Sequence, residues 1–360
     1  MKKKKKIITG LIITCLFLGS LNLLQRLLMP KYMSGIVEGS LIEEYYKEEA
    51  NHDVIFIGDC EVYESFSPIT LWEKYGITSF IRGSAQQLIW QSYYLLEETL
   101  KYEKPDVVVF NVLSMKYNEP QKEAYNRMTL DGMKLSKSKL GSIKASMMED
   151  ENIIDYIFPL LRYHSRWSEL TGEDFKYMFK KDKLFHNGYY MRVDVKPVKS
   201  IPKAKKLPDY QLGENAYYYL DRMVKLCKDN DIDLVLIKAP TIYPHWYDEW
   251  DSQMEEYSEE HDLMYINFLD LIDEVGIDFD EDTYDAGLHL NLSGAEKLTD
   301  YFGEILRDTY QLEDRRNDEK LSEVWQEKID FYYEMKERQY KELEEYGYIK
   351  MYGGKPPSQE

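Results

Sequence analysis

Apolar residues in this chain gather in short continuous runs, and longer stretches with helical periodicity lie between them. Five runs, at 54–57, 78–81, 107–110, 234–237 and 264–268, are rich in β-branched and aromatic residues and follow polar or glycine-containing lead-ins. Runs of that length without polar alternation read as strands buried on both faces. Residues 86–102, 217–229 and 293–310 instead repeat apolar positions at helical spacing. The alternation predicts an α/β domain with a parallel five-stranded sheet covered by helices on both faces. Chemistry in such sheets lies beyond the carboxyl ends of the strands.

Residues of about 122–211 interrupt the alternation. Their amphipathic helical segments, ending in a Pro/Lys-rich connector at 196–208, predict a helical insert between the third and fourth strands. Residues 312–346 are rich in Glu and Lys, with Trp325, Phe331, Tyr332, Met335 and Tyr340 at helical spacings. They predict one or two long surface helices on the domain. The tail, 353–360, has the composition of a disordered segment. The division expected is therefore an anchor over 1–30, an α/β domain over 31–311 and a charged helical extension over 312–360.

The first 30 residues are a separate object. Five lysines, Lys2 to Lys6, precede an almost uncharged apolar run at 7–24, which Leu27, Leu28 and Met29 extend up to Pro30. The run suits one membrane-spanning helix. The lysines predict a cytoplasmic N-terminus, with the rest outside the cytoplasm. A cleaved signal stays open as the alternative. The formal net charge of −19 includes those lysines, so the outer part is more acidic still. That argues against a nucleic-acid partner. The 32 tyrosines suit either a sugar-binding surface or half-buried helix faces. Three cysteines make no disulfide framework: Cys15 lies in the anchor, Cys227 on a helical pattern and Cys60 at a strand end. An oxidising exterior leaves a Cys60–Cys227 bridge open.

Cys60 directly follows the first strand and Gly58-Asp59. A thiol there is a small apolar filler or a nucleophile at a strand-to-helix turn, facing the amide groups of the helix start. Far along the chain, Asp285 and His289 precede the capping-box pattern of Ser293 and Glu296. An imidazole that accepts a nucleophile's proton needs a carboxylate to fix its tautomer. Gly83 ends the second strand, and Asn111 and Ser114 end the third. With the backbone of Cys60, they are candidate oxyanion donors. Lys238, Thr241 and His245 follow the fourth strand as possible pocket residues. His164, Arg162 and Arg166 of the insert could meet an anionic substrate or serve as helix caps. No metal-ligand spacing and no phosphate-cradling glycine loop occurs, so neither metal nor cofactor is expected.

These blocks resemble the SGNH/GDSL hydrolase superfamily, in its membrane-anchored branch of cell-envelope O-acylation, which includes teichoic acid D-alanyl transfer. The carriers are Gly58-Asp59-Cys60, Gly83, Asn111 with Ser114, and Gly287-Leu-His289-Leu-Asn291-Leu-Ser-Gly294. They span about 53–118 and 231–310. The resemblance implies the three-layer, flavodoxin-like SGNH fold, with Cys60 as nucleophile, His289 as base and Asp285 as its orienting acid. Gly83, Asn111, Ser114 and Asn291 would serve oxyanion or substrate binding. Two departures stand out. Cysteine replaces serine, and the family's Asp, three residues before His, is Ala286 here; a one-residue bulge could bring Asp285 to the ring, with Asp282 as the lesser substitute. The implied activity is acyl transfer or ester hydrolysis on a cell-envelope polymer, with a membrane-bound O-acyltransferase as possible acyl supplier. The alternative is a non-catalytic scaffold or glycan-binding relative.

Overall fold

The computed structural model describes residues 2–30, 38–48, 51–179 and 186–352, so the expected disorder of 353–360 lies outside the described residues. Five parallel strands form one sheet in the order β2-β1-β3-β4-β5. They are β1 (Val54–Gly58), β2 (Ser79–Gly83), β3 (Val107–Asn111), β4 (Asp233–Lys238) and β5 (Met264–Asn267). β1 to β3 are buried along their whole length, as their unbroken apolar sequences require.

Helices cover both faces. Val54, Phe56, Val109 and Val235 pack toward the helices Cys60–Ser65, Pro68–Tyr75, Leu292–Tyr310 and Glu319–Tyr346. The alternate residues Ile55, Ile57, Val108 and Leu236 pack toward Ile89–Thr99, Glu214–Asp229 and Asp248–His261. The period-two alternation of a strand thus feeds two cores. Cys60 joins the first and Cys227 the second, so the sheet separates them. All three cysteines are free, and the Cys60–Cys227 bridge is ruled out.

Between β3 and β4 lie helices Glu123–Leu130 and Lys137–Ser146 with several shorter turns. Leu130, Met133, Ile143 and Tyr156 form a satellite core with Leu95 of the sheet-covering helix. The later part of this insert is not helical. Residues 186–193 form a strap along the edge strand β2, where the Ile81 amide donates to Asn187 O at 2.9 Å. The Tyr190 amide donates to Tyr63 O at 2.8 Å.

The C-terminal extension is one long helix, Glu319–Tyr346. It is charged outside but sends Trp325, Tyr332 and Met335 into the first core. Trp325 stacks on Trp72 with ring centroids 4.9 Å apart. The buried Gln339 side chain accepts from the Val193 amide at 3.2 Å and donates to Met191 O at 3.0 Å, so this helix holds the strap. At the other terminus, Lys2–Leu28 forms a 27-residue helix, long and apolar enough to cross a membrane.

Candidate active site

Cys60 is the first residue of the helix that follows β1. The turn is possible because residue 58 is glycine: a Cβ there would lie 2.4 Å from Val62 Cγ2. Asp59 caps the helix, accepting from the Glu61 amide at 3.2 Å. Burial and the neighbouring Glu61 push the Asp59 carboxyl up to about 6, against the pull of Lys116 and Asn111. Helix geometry leaves the Cys60 amide without an intrahelical partner, free to serve an oxyanion.

His289 stands beside Cys60. Its Nδ1 is 2.6 Å from Asp285 Oδ2, and its backbone amide donates to Asp285 Oδ1 at 2.8 Å. The extra residue between Asp and His is absorbed by left-handed backbone at Ala286 (φ 69°) and Gly287 (φ 93°). The Ala286 amide donates to Lys196 O at 3.1 Å, and the Gly287 amide to Thr283 Oγ1 at 2.8 Å. That is the bulge the four-residue spacing demands. His289 Nε2 is buried without a well-formed hydrogen bond, and the Cys60 thiol is close enough to alter its proton affinity.

A second carboxylate, Glu64, was not apparent from the motifs. It lies one helical turn after Cys60, and its Oε2 is 3.6 Å from His289 Nδ1. The hydroxyl of Tyr284 donates to Glu64, and the Tyr284 ring stacks on the imidazole. The spacing of Cys60 and Glu64 was the available signal, since residues four apart share a helix face. Burial acts to push the imidazole down, but Glu64, Cys60 and Asp285 together hold it well above the usual histidine range. Burial pushes the Cys60 thiol up to about 11, against the pull of His289. Burial thus favours the neutral thiol at Cys60, while the carboxylates around His289 favour its protonated ring.

Cys60 and His289 open onto a pocket of about 510 Å³. Its wall includes Tyr63, Tyr117, Tyr125, Tyr190, Tyr243 and Tyr284, with the cations Lys116 and Arg192. Burial, with Asp59 and Cys60 nearby, pushes the Tyr117 phenol up to about 12, so it stays a hydroxyl donor at neutral pH. Arg192 is clamped by Asp194 at 2.9 and 2.6 Å and lies 4.4 Å over the Tyr284 ring. The strap supplies Tyr190 and Arg192, which the strand-and-helix pattern did not reveal.

The remaining sequence candidates lie outside the pocket wall. Asn111 does not line the pocket. Its Nδ2 donates to Asp59 Oδ1 at 3.1 Å and Glu61 Oε2 at 3.0 Å, while its Oδ1 accepts from the Ala239 amide at 3.1 Å. Ser114 is buried, its hydroxyl has no hydrogen-bond partner among the described residues, and it does not line the pocket. Asn291 is the N-cap of Leu292–Tyr310, two residues earlier than the Ser293 pattern suggested. It accepts from the Gly294 amide at 3.2 Å and donates to Glu281 O at 2.7 Å. Gly83 lies against the end of β1, where a Cβ would meet Gly58 O at 3.1 Å; Ala85 and Gln86, just beyond, face the pocket.

Lys238 does not reach the pocket either. It is fully buried and holds Glu61 at 3.0 and 3.1 Å. Thr241 donates to the same carboxylate. Arg162 pairs with Glu123 at 2.8 Å, and Arg166 with Asp174 at 3.1 Å, away from the site. Tyr243 and Pro244 line the pocket, and His245 does not. Among the described residues no group of three or more His, Cys, Asp or Glu could hold a metal ion.

No family model matches this chain, and no curated protein matches it. Solved structures that resemble it include the following two. One is a candidate acylhydrolase from Bacteroides fragilis, at 11% identity and a TM-score of 0.37, covering 74% of this chain and 95% of that one. The other is a candidate lipolytic protein of the G-D-S-L family from Desulfitobacterium hafniense, at 15% identity and 0.34, covering 71% and 100%. Both scores fall below 0.5, so the functional reading rests on the geometry of the site.

Proposed function

We propose that this chain is a membrane-anchored, extracytoplasmic enzyme of the SGNH kind that transfers or hydrolyses acyl esters through an acyl-Cys60 intermediate. The observation that carries the reading is His289, held by Asp285 and adjoining the Cys60 thiol at the carboxyl end of β1. Nucleophile, base and orienting acid then stand in the order that acyl transfer needs.

The reactive form is the pair after loss of one proton. Cys60 sulfur attacks the acyl carbonyl, forming the S–C bond, and His289 holds the thiol proton. The ester C–O bond breaks as the imidazolium protonates the departing alkoxide. Water or an acceptor hydroxyl then attacks the thioester, giving its proton to His289, and the thiol is restored. The Cys60 amide is placed to receive the oxyanion. A cell-envelope polymer is the substrate proposed. The tyrosine wall offers apolar faces and hydroxyls to a sugar-like chain. A membrane-bound O-acyltransferase is the proposed acyl donor.

The alternative, a non-catalytic envelope scaffold or glycan binder, draws on one observation. Burial holds the thiol up at about 11, where little thiolate exists at neutral pH. Intact-mass measurement of the protein with an activated acyl ester separates the two. A single acyl adduct on Cys60 that decays with turnover supports the enzyme. Saccharide binding without adduct or turnover supports the scaffold.

Proton linkage adds a further expectation. Because the imidazole is held above its ordinary range, ester turnover should rise with pH past the midpoint of an ordinary histidine. In Glu64→Gln the imidazolium loses an anionic neighbour, so the rising limb should move to lower pH. A pH–rate profile of the two proteins checks this; an unmoved limb would exclude Glu64 as the cause.

A further inference from the structure

The anchor helix does not end free. Residues 3–24 are exposed, but its last turn is seated on the insert, where Leu28 is buried. Arg166 Nη1 donates to Leu28 O at 2.6 Å, capping the helix. The elements that touch the anchor are the helix Pro159–Tyr163, the turn His164–Ser168 and the helix Gly172–Lys176. These and their flanks present Ile154, Phe158, Leu161, Trp167, Phe175 and Phe179 to the outside. Trp167 is 72% exposed and Phe179 70%. Clusters of large apolar side chains are rarely left in water.

The depth of this patch follows from the helix that it touches. Twenty-seven helical residues rise about 40 Å, against a hydrocarbon core of about 30 Å. With the lysines at one face of the bilayer, the Leu28 end reaches the headgroups of the other. We propose that the 153–179 face of the insert lies on the outer leaflet as a second, in-plane membrane contact beside the anchor. Tryptophan and phenylalanine at headgroup depth are the usual residues of such a contact. Acidic side chains (Asp155, Glu169, Glu173, Asp174) slightly outnumber basic ones (Arg162, Arg166, Lys176) across this face. The contact is therefore apolar in origin and needs no anionic lipid. It rests on the anchored reading of the chain.

Tryptophan fluorescence tests it. The other five tryptophans are all at most 8% exposed, so subtracting the Trp167→Phe spectrum isolates Trp167. The full chain is reconstituted in phosphatidylcholine vesicles with and without brominated phosphatidylcholine. The expected result is that brominated lipid removes most of the Trp167 emission, that aqueous iodide removes little, and that salt changes neither. The triple variant Phe158→Glu, Leu161→Glu, Phe175→Glu, checked for native melting, should return Trp167 to iodide. Vesicle flotation is scored in parallel. Protein that floats while Trp167 quenches only with iodide overturns the in-plane contact and leaves the anchor standing. That result would assign the patch to a protein partner. Protein that does not float overturns both.

Discussion

Cys60→Ala should lower acyl-ester turnover by at least about a thousandfold and abolish the acyl adduct, since removal of a covalent nucleophile leaves only binding and oxyanion contributions. The fold should survive. Residue 60 sits at the start of a six-residue helix, is only partly buried, and alanine removes one sulfur atom. Stability should change by about 1 kcal/mol, within the usual range for a minor truncation. Cys60→Ser asks a different question. An alkoxide is harder to generate than a thiolate, but His289 with Asp285 is the apparatus that serine requires. Weaker, measurable turnover is expected. Steady-state hydrolysis of an activated ester, with intact mass on the same samples, reads all three proteins. Unchanged turnover in Cys60→Ala would sink the nucleophile assignment.

The second large effect lies beneath the site. Lys238→Met should cost about 3–5 kcal/mol, the usual penalty for stranding one member of a buried ion pair. Lys238 and Glu61 are each at most 1% exposed, and Glu61 would keep only Thr241 and Asn111 as donors. Removing both charges in Glu61→Leu with Lys238→Met should restore much of the loss, because burial of the pair was itself costly. Urea unfolding of the wild type, the single variant and the double variant measures this. A single variant within about 1 kcal/mol of wild type would contradict the strong coupling expected of a buried pair. Because Glu61 is the neighbour of Cys60, turnover should fall with stability.

The sheet was legible because parallel strands buried on both faces have no choice but to be continuously apolar. Each of the five runs became a strand, with shifts of a residue or two at the ends. The helix Asp248–His261 was less visible. Its apolar stripe of Trp250, Met254 and Tyr257 is diluted by acidic neighbours. At the site, Cys60, Asp285 and His289 could be read from their motifs, and the geometry brings them together. The left-handed Ala286 could not be read, since alanine gives no sign of that conformation. Asn111 shows a different limit. A polar residue at a strand end looks the same in sequence whether it faces a ligand or ties down a neighbouring helix. The strap at 186–193 has no periodicity to read, and only the fold shows that it carries part of the pocket wall.

The helix Glu319–Tyr346 holds that strap through Gln339, which sets an order in time. A chain that enters the membrane amino end first delivers this helix last. Until it emerges, Tyr190 and Arg192 lack their backing and Trp72 lacks its stacking partner. On the anchored, extracytoplasmic topology proposed above, the pocket wall would be completed only after this helix had crossed, so the Cys60 thiol would acquire it on the outer side and not during passage.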